Sequence, residues 1–341
     1  MLIPRIFSLA TANPPHRFSQ SELLKLAGYE DTTRRAFFLN SEVYSRYLCI
    51  NRETFTPTET VDELHSRYKK GSIETGLEAI TKCLQKVAVS PREIDFIATT
   101  SCTGYLCPGL DSILVKELGM KSNIQRANLL GMGCSSAISA LQQAYNYLVT
   151  HPGHIALVLS VEICSASYFM DDNMVTAVAN ALFGDGAAAL LLTTAGAGIE
   201  ILDFESLIKS EYLGLMGFEN ISGRLKIVLS KDIRHIGGDM FKEVIENLLH
   251  KHTLSKKDIS FWVLHSGGRK VIEKAKNKMS LREEDVAPTR NVLRNFGNMS
   301  SATVLFVLDE VIRTKNPQPD NLGVMVSLGP GFAAESALLK W

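Results

Sequence analysis

Apolar residues recur along the chain in two alternating patterns, one typical of buried strands and the other of amphipathic helices. Near-continuous apolar runs predict strands covered on both faces at residues 3–8, 94–99, 123–130, 155–161, 187–192, 261–264, 322–328 and 333–339. Apolar residues at helical spacing predict helices at 19–27, 31–42, 61–87, 110–118, 137–148, 174–182, 270–278 and 301–312. This alternation predicts a layered α/β fold.

Short glycine-containing segments recur in the same order in the two halves of the chain. GCSSA at 133–137 and GNMSSA at 297–302 each open a predicted helix, and GDGAAA at 184–189 and GPGFAA at 329–334 each enter a late strand. We interpret these pairs as an internal duplication; the alternative is chance similarity between small-residue turns. We place the domain boundary in the segment 195–198, which gives domains 1–195 and 196–341. No Pro/Ser-rich linker separates them, so we expect a broad interface.

Composition narrows the classes of protein to consider. The chain has 341 residues, 45% of them hydrophobic and 21% charged, which suits two globular domains or one large unit. Lys and Arg number 36, as do Asp and Glu, so the formal charge is zero and no nucleic-acid partner is expected. No apolar run reaches the ~18–20 residues that span a bilayer, and no signal peptide is evident. We therefore expect a cytoplasmic protein with no membrane partner.

Six cysteines in a chain of this length do not predict a disulfide framework. Cys102 and Cys107 have no second Cys or His pair nearby, so no zinc site is expected. Reduced thiols are the expectation, and one of them is a candidate nucleophile.

Cys134 is the strongest candidate for a catalytic residue. It follows two glycines and precedes a predicted helix, where unpaired amides and the helix dipole favour a thiolate with a pKa below about 8.5. The same amides are suited to receive the oxyanion of an attacked thioester. The alternative interpretation is a small buried core cysteine, and position alone does not separate the two.

His265 and Asn298 are weaker candidates when each is taken alone. His265 ends an apolar strand beside glycines, where α/β folds bind ligands, although a turn histidine fits equally well. Asn298 is also a good helix-capping residue. Together with Cys134 they indicate acyl transfer: Cys134 carries an acyl group, while the other two donate hydrogen bonds to the carbonyl of a second thioester. A protease-like Cys/His pair is the rival use of these residue types.

Five segments resemble the type III polyketide synthases, the chalcone synthase-like family. They are GMGCSS, ALFGDGAAA, HSGG after a strand, GNMSSATVLFVLDE and SLGPGF, in the family's order. The stretches ATANPPHRFSQSELLKL, FFLNSEVYSRYL and VEICSASYFMDDNMVTAVANALFGDG resemble the bacterial 3,5-dihydroxyphenylacetyl-CoA synthases rather than the plant enzymes. With these stretches the resemblance covers nearly the whole chain.

The resemblance implies a thiolase fold, in which two duplicated βαβαβαββ halves form a five-layered α-β-α-β-α unit. It also implies a homodimer, malonyl-CoA and acyl-CoA substrates, and no metal or other cofactor. Cys134 corresponds to the nucleophile, and His265 and Asn298 to the decarboxylation and oxyanion pair. The implied substrate pocket comprises Phe183 as a gatekeeper, Cys102, Cys107 (whose side chain would enter the partner's cavity), Ile227, Ser300 and Leu328. The loop 327–331 would form its floor.

Three features of the sequence differ from those of the plant enzymes. Ile227 stands where they have a second gatekeeper phenylalanine, so the cavity need not accept an aromatic starter. The basic cluster that binds the CoA phosphates is not clearly preserved, and Arg34 and Arg35 are the nearby candidates. Ser266 replaces a proline, with no expected effect on chemistry.

The favoured hypothesis is an acyltransferase that extends an acyl or malonyl group on Cys134 with malonyl-CoA and cyclises it to a resorcinol-type ring, giving 3,5-dihydroxyphenylacetyl-CoA or its acid. One alternative is a single-condensation ketoacyl synthase III-like enzyme that uses an acyl carrier protein. No long basic cluster for docking an acidic carrier is visible. A second alternative is a catalytically silent subunit that stabilises a partner enzyme.

Overall fold

Strands and helices alternate in the computed structural model, which describes residues 2–53, 55, 58–168, 171 and 173–341. The strands are β1 (Arg5–Ala12), β2 (Arg17–Ser19), β3 (Ser45–Tyr47), β4 (Phe96–Thr100), β5 (Gln125–Leu129), β6 (Ala156–Ile163), β7 (Asp185–Thr193), β8 (Ile199–Ile208), β9 (Met216–Ile221), β10 (Arg224–Leu229), β11 (Ile259–Leu264), β12 (Leu322–Gly329) and β13 (Ala333–Lys340). The α-helices are α1 (Gln20–Ala27), α2 (Thr32–Leu39), α3 (Val61–Gln85), α4 (Leu110–Glu117), α5 (Ser136–Thr150), α6 (Met174–Leu182), α7 (Ile233–Lys251), α8 (Arg269–Met279), α9 (Glu283–Phe296) and α10 (Ala302–Lys315).

Nine strands are hydrogen-bonded in the order β11-β12-β13-β8-β1-β7-β6-β4-β5. The two halves of this series join at β8 and β1, which pair antiparallel through Arg5 with Glu200 and Ile6 with Ile199. Two short antiparallel pairs, β2 with β3 and β9 with β10, lie outside this sheet.

Each half of the sheet repeats one pairing pattern. β1 is antiparallel to β7, β7 is antiparallel to β6, and β6 is parallel to β4. In the second half, β8 is antiparallel to β13, β13 is antiparallel to β12, and β12 is parallel to β11. The repeat gives α5 and α10, which follow the GCSSA and GNMSSA segments, equivalent places before β6 and β12. The division between residues 195 and 196 falls between β7 and β8, and it stays a prediction.

The helices lie in three layers separated by the two halves of the sheet. α5 and α10 form the central layer, because their apolar side chains pack against strands of both halves. α3 and α4 cover the outer face of the first half, and α7, α8 and α9 cover that of the second. In β6, Val158 faces the central layer while Leu157 and Leu159 face α3, as the two-residue period of a strand requires. The five-layered α/β fold expected from the resemblance is therefore confirmed.

Some elements have no counterpart among those predicted. α7 and α9 are long helices that the apolar spacing did not indicate, because α7 contains Gly237 and Gly238 and α9 contains Pro288. The charged run 269–285 does not form one continuous helix. It breaks at Ser280, whose φ of +53° ends α8. No helix among the described residues is both long and apolar enough to cross a membrane.

Two glycines allow the halves to meet at the centre of the molecule. The Gly184 amide donates to the Asn298 carbonyl at 2.9 Å, and the Asn298 amide donates to the Leu182 carbonyl at 2.9 Å. A Cβ on Gly184 would lie 2.4 Å from the Phe296 carbonyl oxygen, and one on Gly297 would lie 2.6 Å from that of Leu182. Because neither backbone can move without breaking the other's hydrogen bonds, only glycine fits at these positions.

Gly297→Ala should destabilise the fold strongly. Gly297 has φ +70° and ψ −159°, a region that is nearly specific to glycine, and its new methyl group would meet backbone. We expect a loss of about 3 kcal/mol in the free energy of unfolding, measured by denaturant titration. Gly119→Ala is the matched control, since Gly119 has φ +61° but open space around it. The control should cost about 1 kcal/mol, and equal losses in the two variants would contradict the steric account.

Candidate active site

Cys134, His265 and Asn298 line one cavity of about 600 Å³. Each side chain comes from a different connection: Cys134 from the segment between β5 and α5, His265 from the end of β11, and Asn298 from the segment between α9 and α10. The first belongs to one half of the sheet and the other two to the second half. The cavity therefore lies where the repeated halves face each other.

A loop from the second half holds the turn that carries Cys134. Cys134 lies on a 3-10 turn, Gly133–Ser135, directly before α5. The Ser327 hydroxyl donates to the Cys134 carbonyl at 2.6 Å. Gly133 has φ +53°, and a Cβ there would lie 2.3 Å from Cδ of Pro330. Leu328 and Pro330 of the loop 327–331 also line the cavity, as does Cys134.

The expected low pKa of Cys134 is wrong. Burial raises the pKa of this thiol to about 12, with a smaller contribution from the negative charge of Glu162. Hydrogen bonds from Ser300 and from its own backbone amide act in the opposite direction but are outweighed. The thiol is neutral at physiological pH because removal from water disfavours the charged form more than the turn's amides favour it.

His265 is a neutral imidazole in this site. It follows the last residue of β11, and its amide donates to the Val326 carbonyl of β12 at 2.9 Å. Burial lowers its pKa to about 4, so the ring is uncharged at neutral pH. Nδ1 is buried with no hydrogen-bond partner among the described residues. A neutral imidazole offers one N–H donor to a ligand and is a poor base.

The Asn298 carboxamide is held in one orientation. Its Oδ1 accepts from the Ser300 amide at 2.8 Å and from the Thr303 hydroxyl at 3.3 Å. The Thr303 hydroxyl in turn accepts from the Met299 amide at 2.8 Å. Because both contacts use the oxygen, the Nδ2 hydrogens remain for a ligand in the cavity. The backbone of Asn298 is paired with that of Phe183, so these two residues are held together.

Two thiols flank one hydroxyl beside this amide. The Ser300 Oγ lies 3.2 Å from Sγ of Cys134 and 3.1 Å from Sγ of Cys102. Ser300 has φ +46°, a left-handed backbone that is unusual for serine. Burial raises the pKa of Cys102 well above its usual range, so this thiol is also neutral. All six cysteines are free thiols.

The structure brings most of the predicted pocket residues together. Phe183, Cys102, Ile227, Ser300 and Leu328 all line the cavity. Ile227 pairs with Phe218 across the β9–β10 hairpin, and Phe218 also lines the cavity. Cys107 does not line it, because its side chain is exposed on the surface of this chain. The expected place of Cys107 in a partner's cavity stays a prediction.

Arg34 and Arg35 do not reach the cavity. The residues of this segment that line it are Ala36, Phe37, Asn40 and Ser41. Arg34 is instead paired with Asp31 at the start of α2, and Arg35 is exposed. Nothing in the structure places either arginine at the mouth of the cavity.

Three other cationic side chains lie at the cavity that were not predicted from the sequence. Lys231, Arg269 and Lys270 line it and are exposed, and none of them has an ion-pair partner among the described residues. Arg269 and Lys270 directly follow the HSGG segment, so their closeness to His265 in sequence was the available signal. Lys231 follows β10, which is distant in sequence and carries no such signal.

Much of the cavity lining is apolar and includes Met174, Val178, Phe218 and Leu229. Among the residues that the structure describes, no three His, Cys, Asp or Glu side chains are grouped to hold a metal ion. The arrangement therefore combines a neutral thiol, two neutral hydrogen-bond donors and an apolar chamber with a cationic mouth. Such a chamber suits an acyl thioester whose carrier is anionic.

The hydrogen bond that marks a protease-like Cys/His pair is not formed among the described residues. In such a pair the imidazole is hydrogen-bonded to the thiol and takes its proton. Here the Cys134 thiol contacts the Ser300 hydroxyl, and the described residues include no hydrogen bond between Cys134 and His265. His265 and Asn298 are instead both free to donate toward a third group in the cavity.

Comparisons with known proteins identify a family and several relatives to which this chain is similar. Residues 39–265 match the family model described as FAE1/type III polyketide synthase-like protein, and residues 219–341 match the C-terminal domain of chalcone and stilbene synthases. A 3,5-dihydroxyphenylacetyl-CoA synthase of Streptomyces toyocaensis is 35% identical, over 99% of this chain and 90% of the relative.

Two further similarities extend over nearly the full length. A 1,3,6,8-tetrahydroxynaphthalene synthase of Streptomyces peucetius subsp. caesius is 30% identical, over 98% of this chain and 93% of the relative. The crystal structure of PKS-I from the brown alga Ectocarpus siliculosus superposes with a TM-score of 0.92 at 28% identity, covering 99% of this chain and 98% of that one.

Proposed function

The chain belongs to the type III polyketide synthase family, a family of acyltransferases, and we propose that it condenses malonyl-CoA repeatedly on Cys134 and cyclises the product to a resorcinol-type ring. The observation that carries this proposal is the convergence of Cys134, His265 and Asn298 on one apolar cavity. The 35% identity to a 3,5-dihydroxyphenylacetyl-CoA synthase supports that compound, or its acid, as the product.

Loading begins at Cys134. The sulfur, once deprotonated, attacks the carbonyl carbon of an acyl-CoA or malonyl-CoA thioester. A new carbon–sulfur bond forms at Cys134, the bond to the CoA sulfur breaks, and CoA leaves as a thiolate that takes a proton from water. The backbone amide of Cys134, which already contacts its own thiol, is available to the oxyanion of this step.

His265 and Asn298 then act on a second malonyl-CoA. Both donate hydrogen bonds to its thioester carbonyl oxygen, where negative charge develops as carbon dioxide leaves. Neutral donors suit this task, since they stabilise the enolate without protonating it. The apolar wall also favours loss of the carboxylate, because a charged group is poorly solvated there.

Condensation joins the two groups. The enolate carbon attacks the carbonyl of the acyl group on Cys134, a carbon–carbon bond forms, and the Cys134 thiolate leaves. The extended chain, now on CoA, returns to Cys134 for the next round. A cavity of about 600 Å³ accommodates a growing chain, and Ile227 with Phe218 lies along its wall.

The cationic mouth supports CoA as the carrier. Lys231, Arg269 and Lys270 are unpaired with any described carboxylate and lie where a phosphorylated carrier would enter. We propose that these three residues hold the phosphates of CoA, in place of Arg34 and Arg35. We also propose that the enzyme is a cytoplasmic homodimer in which Cys107 lies at the partner's cavity.

Purified protein with malonyl-CoA alone should release carbon dioxide and a polyketide. Cys134→Ala should abolish chain extension, because no thioester can form, and product mass spectrometry measures the loss. If this variant still extends chains, Cys134 is not the nucleophile. Faster turnover of malonyl-carrier protein than of malonyl-CoA would favour a ketoacyl synthase III-like enzyme instead.

His265→Ala and Asn298→Ala should each slow decarboxylation of malonyl-CoA by about 10²-fold, since each removes one donor to the developing oxyanion. Release of carbon dioxide is measured in a Cys134→Ala background, so that the thiol does not contribute. With the pKa of His265 near 4, the rate should not vary with a histidine ionisation between pH 6 and 8. A titration with a midpoint near 6.5 would contradict a neutral His265.

Replacing Lys231, Arg269 and Lys270 together by alanine should raise KM for malonyl-CoA about tenfold and leave kcat nearly unchanged, since the three cations bind only the carrier. The N-acetylcysteamine thioester of malonate, which lacks phosphates, is the matched substrate control. Its KM should be unaltered. The double replacement Arg34→Ala and Arg35→Ala is the control variant, and a larger effect there would restore the first assignment.

A further inference from the structure

Helix α6 ends without a cap of its own. Its last residue is Leu182, and Phe183 follows with an extended backbone, φ −81° and ψ 143°. The last carbonyl groups of a helix have no partner within the helix, and a left-handed glycine commonly satisfies them. Since the residue after α6 is an extended phenylalanine, these carbonyl groups depend on donors from other parts of the chain.

Four consecutive carbonyl groups at this end each accept a hydrogen bond from a donor outside the helix. Three of the donors are side chains, and the fourth is the backbone amide of Asn298. The pairs are Arg46 Nη2 with the Asn180 oxygen at 2.6 Å, Gln20 Nε2 with the Ala181 oxygen at 2.7 Å, the Asn298 amide with the Leu182 oxygen at 2.9 Å, and the Tyr168 hydroxyl with the Phe183 oxygen at 2.7 Å. The segment that carries Asn298 is therefore attached to the same turn that three side chains hold. We call Arg46, Gln20 and Tyr168 the α6 clamp.

Arg46 is the most unusual member of the clamp. It lies on β3 and is wholly buried. Nη2 is bonded to the Asn180 carbonyl, but Nε and Nη1 have no hydrogen-bond partner among the described residues. Burial lowers the pKa of Arg46, yet a guanidinium remains charged in proteins. The negative end of the α6 dipole lies beside this cation and stabilises it.

The stem of Arg46 lies beside the junction between the two halves of the molecule. A Cβ on Gly184 would lie 3.2 Å from Cβ of Arg46, and one on Gly297 would lie 3.4 Å from its Cδ. These two glycines are next to the residues whose backbones pair, Phe183 and Asn298. Arg46 therefore packs next to both sides of this pairing while its head group holds the end of α6.

Stability alone does not account for these buried polar side chains. Burying a guanidinium with unpaired donors is costly, and an apolar side chain of similar volume fills the same space without that cost. Gln20 shows the same pattern, because its Oε1 is buried with no partner among the described residues although Nε2 is fully used. Buried polar atoms without partners are rare in native proteins and call for an explanation.

The proposed reaction supplies that explanation. Nδ2 of Asn298 must donate to an oxygen of bound malonyl-CoA, and a displacement of about 1 Å at such a group costs about 10²-fold in rate. The carboxamide is oriented by the Ser300 amide and the Thr303 hydroxyl, which belong to its own segment. That segment is held in turn by the bond from the Asn298 amide to the Leu182 carbonyl. Whatever holds the last turn of α6 therefore places the Asn298 carboxamide in the cavity.

We propose that the α6 clamp positions Asn298 for decarboxylation, with Arg46 as its central positioning residue. Arg46 and Gln20 do not line the cavity, so they act through α6 and not on the substrate. Tyr168 lines the cavity, but its hydroxyl donates to the Phe183 carbonyl. This proposal rests on the proposed function, in which Asn298 donates to the thioester of malonyl-CoA.

Replacing Arg46 by methionine tests the clamp at the step that uses Asn298. Methionine keeps an unbranched stem and removes the donor and the charge. In a Cys134→Ala background, kcat for release of carbon dioxide from malonyl-CoA should fall about tenfold because Asn298 is misplaced, and KM should be unchanged because Arg46 does not touch the substrate. In protein that retains Cys134, alkylation of this thiol by iodoacetamide should keep the parent rate, since Ser327 and Pro330 hold its turn.

A double-mutant cycle shows whether Arg46 acts through Asn298. Adding Arg46→Met to Asn298→Ala, again with Cys134→Ala, should cost no further decarboxylation activity, because the group that Arg46 positions is already gone. A loss of about tenfold in both backgrounds would mean that Arg46 acts independently of Asn298, and this result would overturn the proposal.

Conservative variants separate positioning from a general loss of stability. Arg46→Lys should recover most of the parent kcat, because only one donor of the guanidinium is used and an ammonium supplies one. Tyr168→Phe removes only the hydroxyl that holds the Phe183 carbonyl, and it should lower kcat about threefold. Tyr147→Phe is the matched control and should keep the parent rate, since its hydroxyl contacts His154 instead. If Arg46→Met does not fold, as judged by circular dichroism, Tyr168→Phe with and without Asn298→Ala carries the test.

The contrary outcomes are distinct. An unchanged kcat for decarboxylation in Arg46→Met and Tyr168→Phe would overturn the proposal. An equal loss in decarboxylation and in alkylation of Cys134 would also overturn it, because such a loss marks a general disturbance of the fold. Either result leaves the proposed function intact. If protein with the Cys134→Ala change alone releases no carbon dioxide, the proposed function fails and the role of the clamp fails with it.

Discussion

The backbone pairing between Phe183 and Asn298 is the contact on which the candidate site depends. It joins the end of α6 in one half of the molecule to the segment before α10 in the other. Gly184 and Gly297 let the two backbones approach to hydrogen-bonding distance. The pairing holds Phe183 and Asn298 together and, through the contact of Asn298 with the Ser300 amide, the left-handed backbone of Ser300. A duplicated fold thus builds one cavity from two halves, and the cavity lies at their junction.

Burial determines the charge state of that cavity. Both Cys134 and His265 are neutral, because removal from water outweighs the nearby amides and hydroxyls. Neutral donors suit a reaction whose negative charge appears on a thioester oxygen and moves on to a carbon. The positive charge of the site is confined to the mouth, where an anionic carrier would bind.

The sequence predicted the layered α/β fold and the residues that meet in the cavity, because both depend on short segments. Apolar runs such as 155–161 reveal buried strands, and Cys134, His265 and Asn298 each lie in a glycine-containing segment that resembles a known family. The predicted pKa of Cys134 was wrong because the thiol is buried by residues distant in sequence, notably the loop that contains Pro330. Lys231 was missed for a similar reason: it reaches the mouth from β10, far from His265 in sequence. α7 and α9 were not predicted because glycines in α7 and a proline in α9 interrupt their apolar spacing.

The proposed function depends on one covalent event, the transfer of an acyl group from CoA to the sulfur of Cys134. Brief incubation with malonyl-CoA, acid quenching and peptide mass spectrometry detect that event directly. The account predicts that the peptide containing Cys134 gains the mass of a malonyl, acetyl or longer β-keto acyl group. It also predicts that peptides containing Cys102 and Cys164 gain none. An acyl group found on another cysteine, or on none while product accumulates, would contradict it.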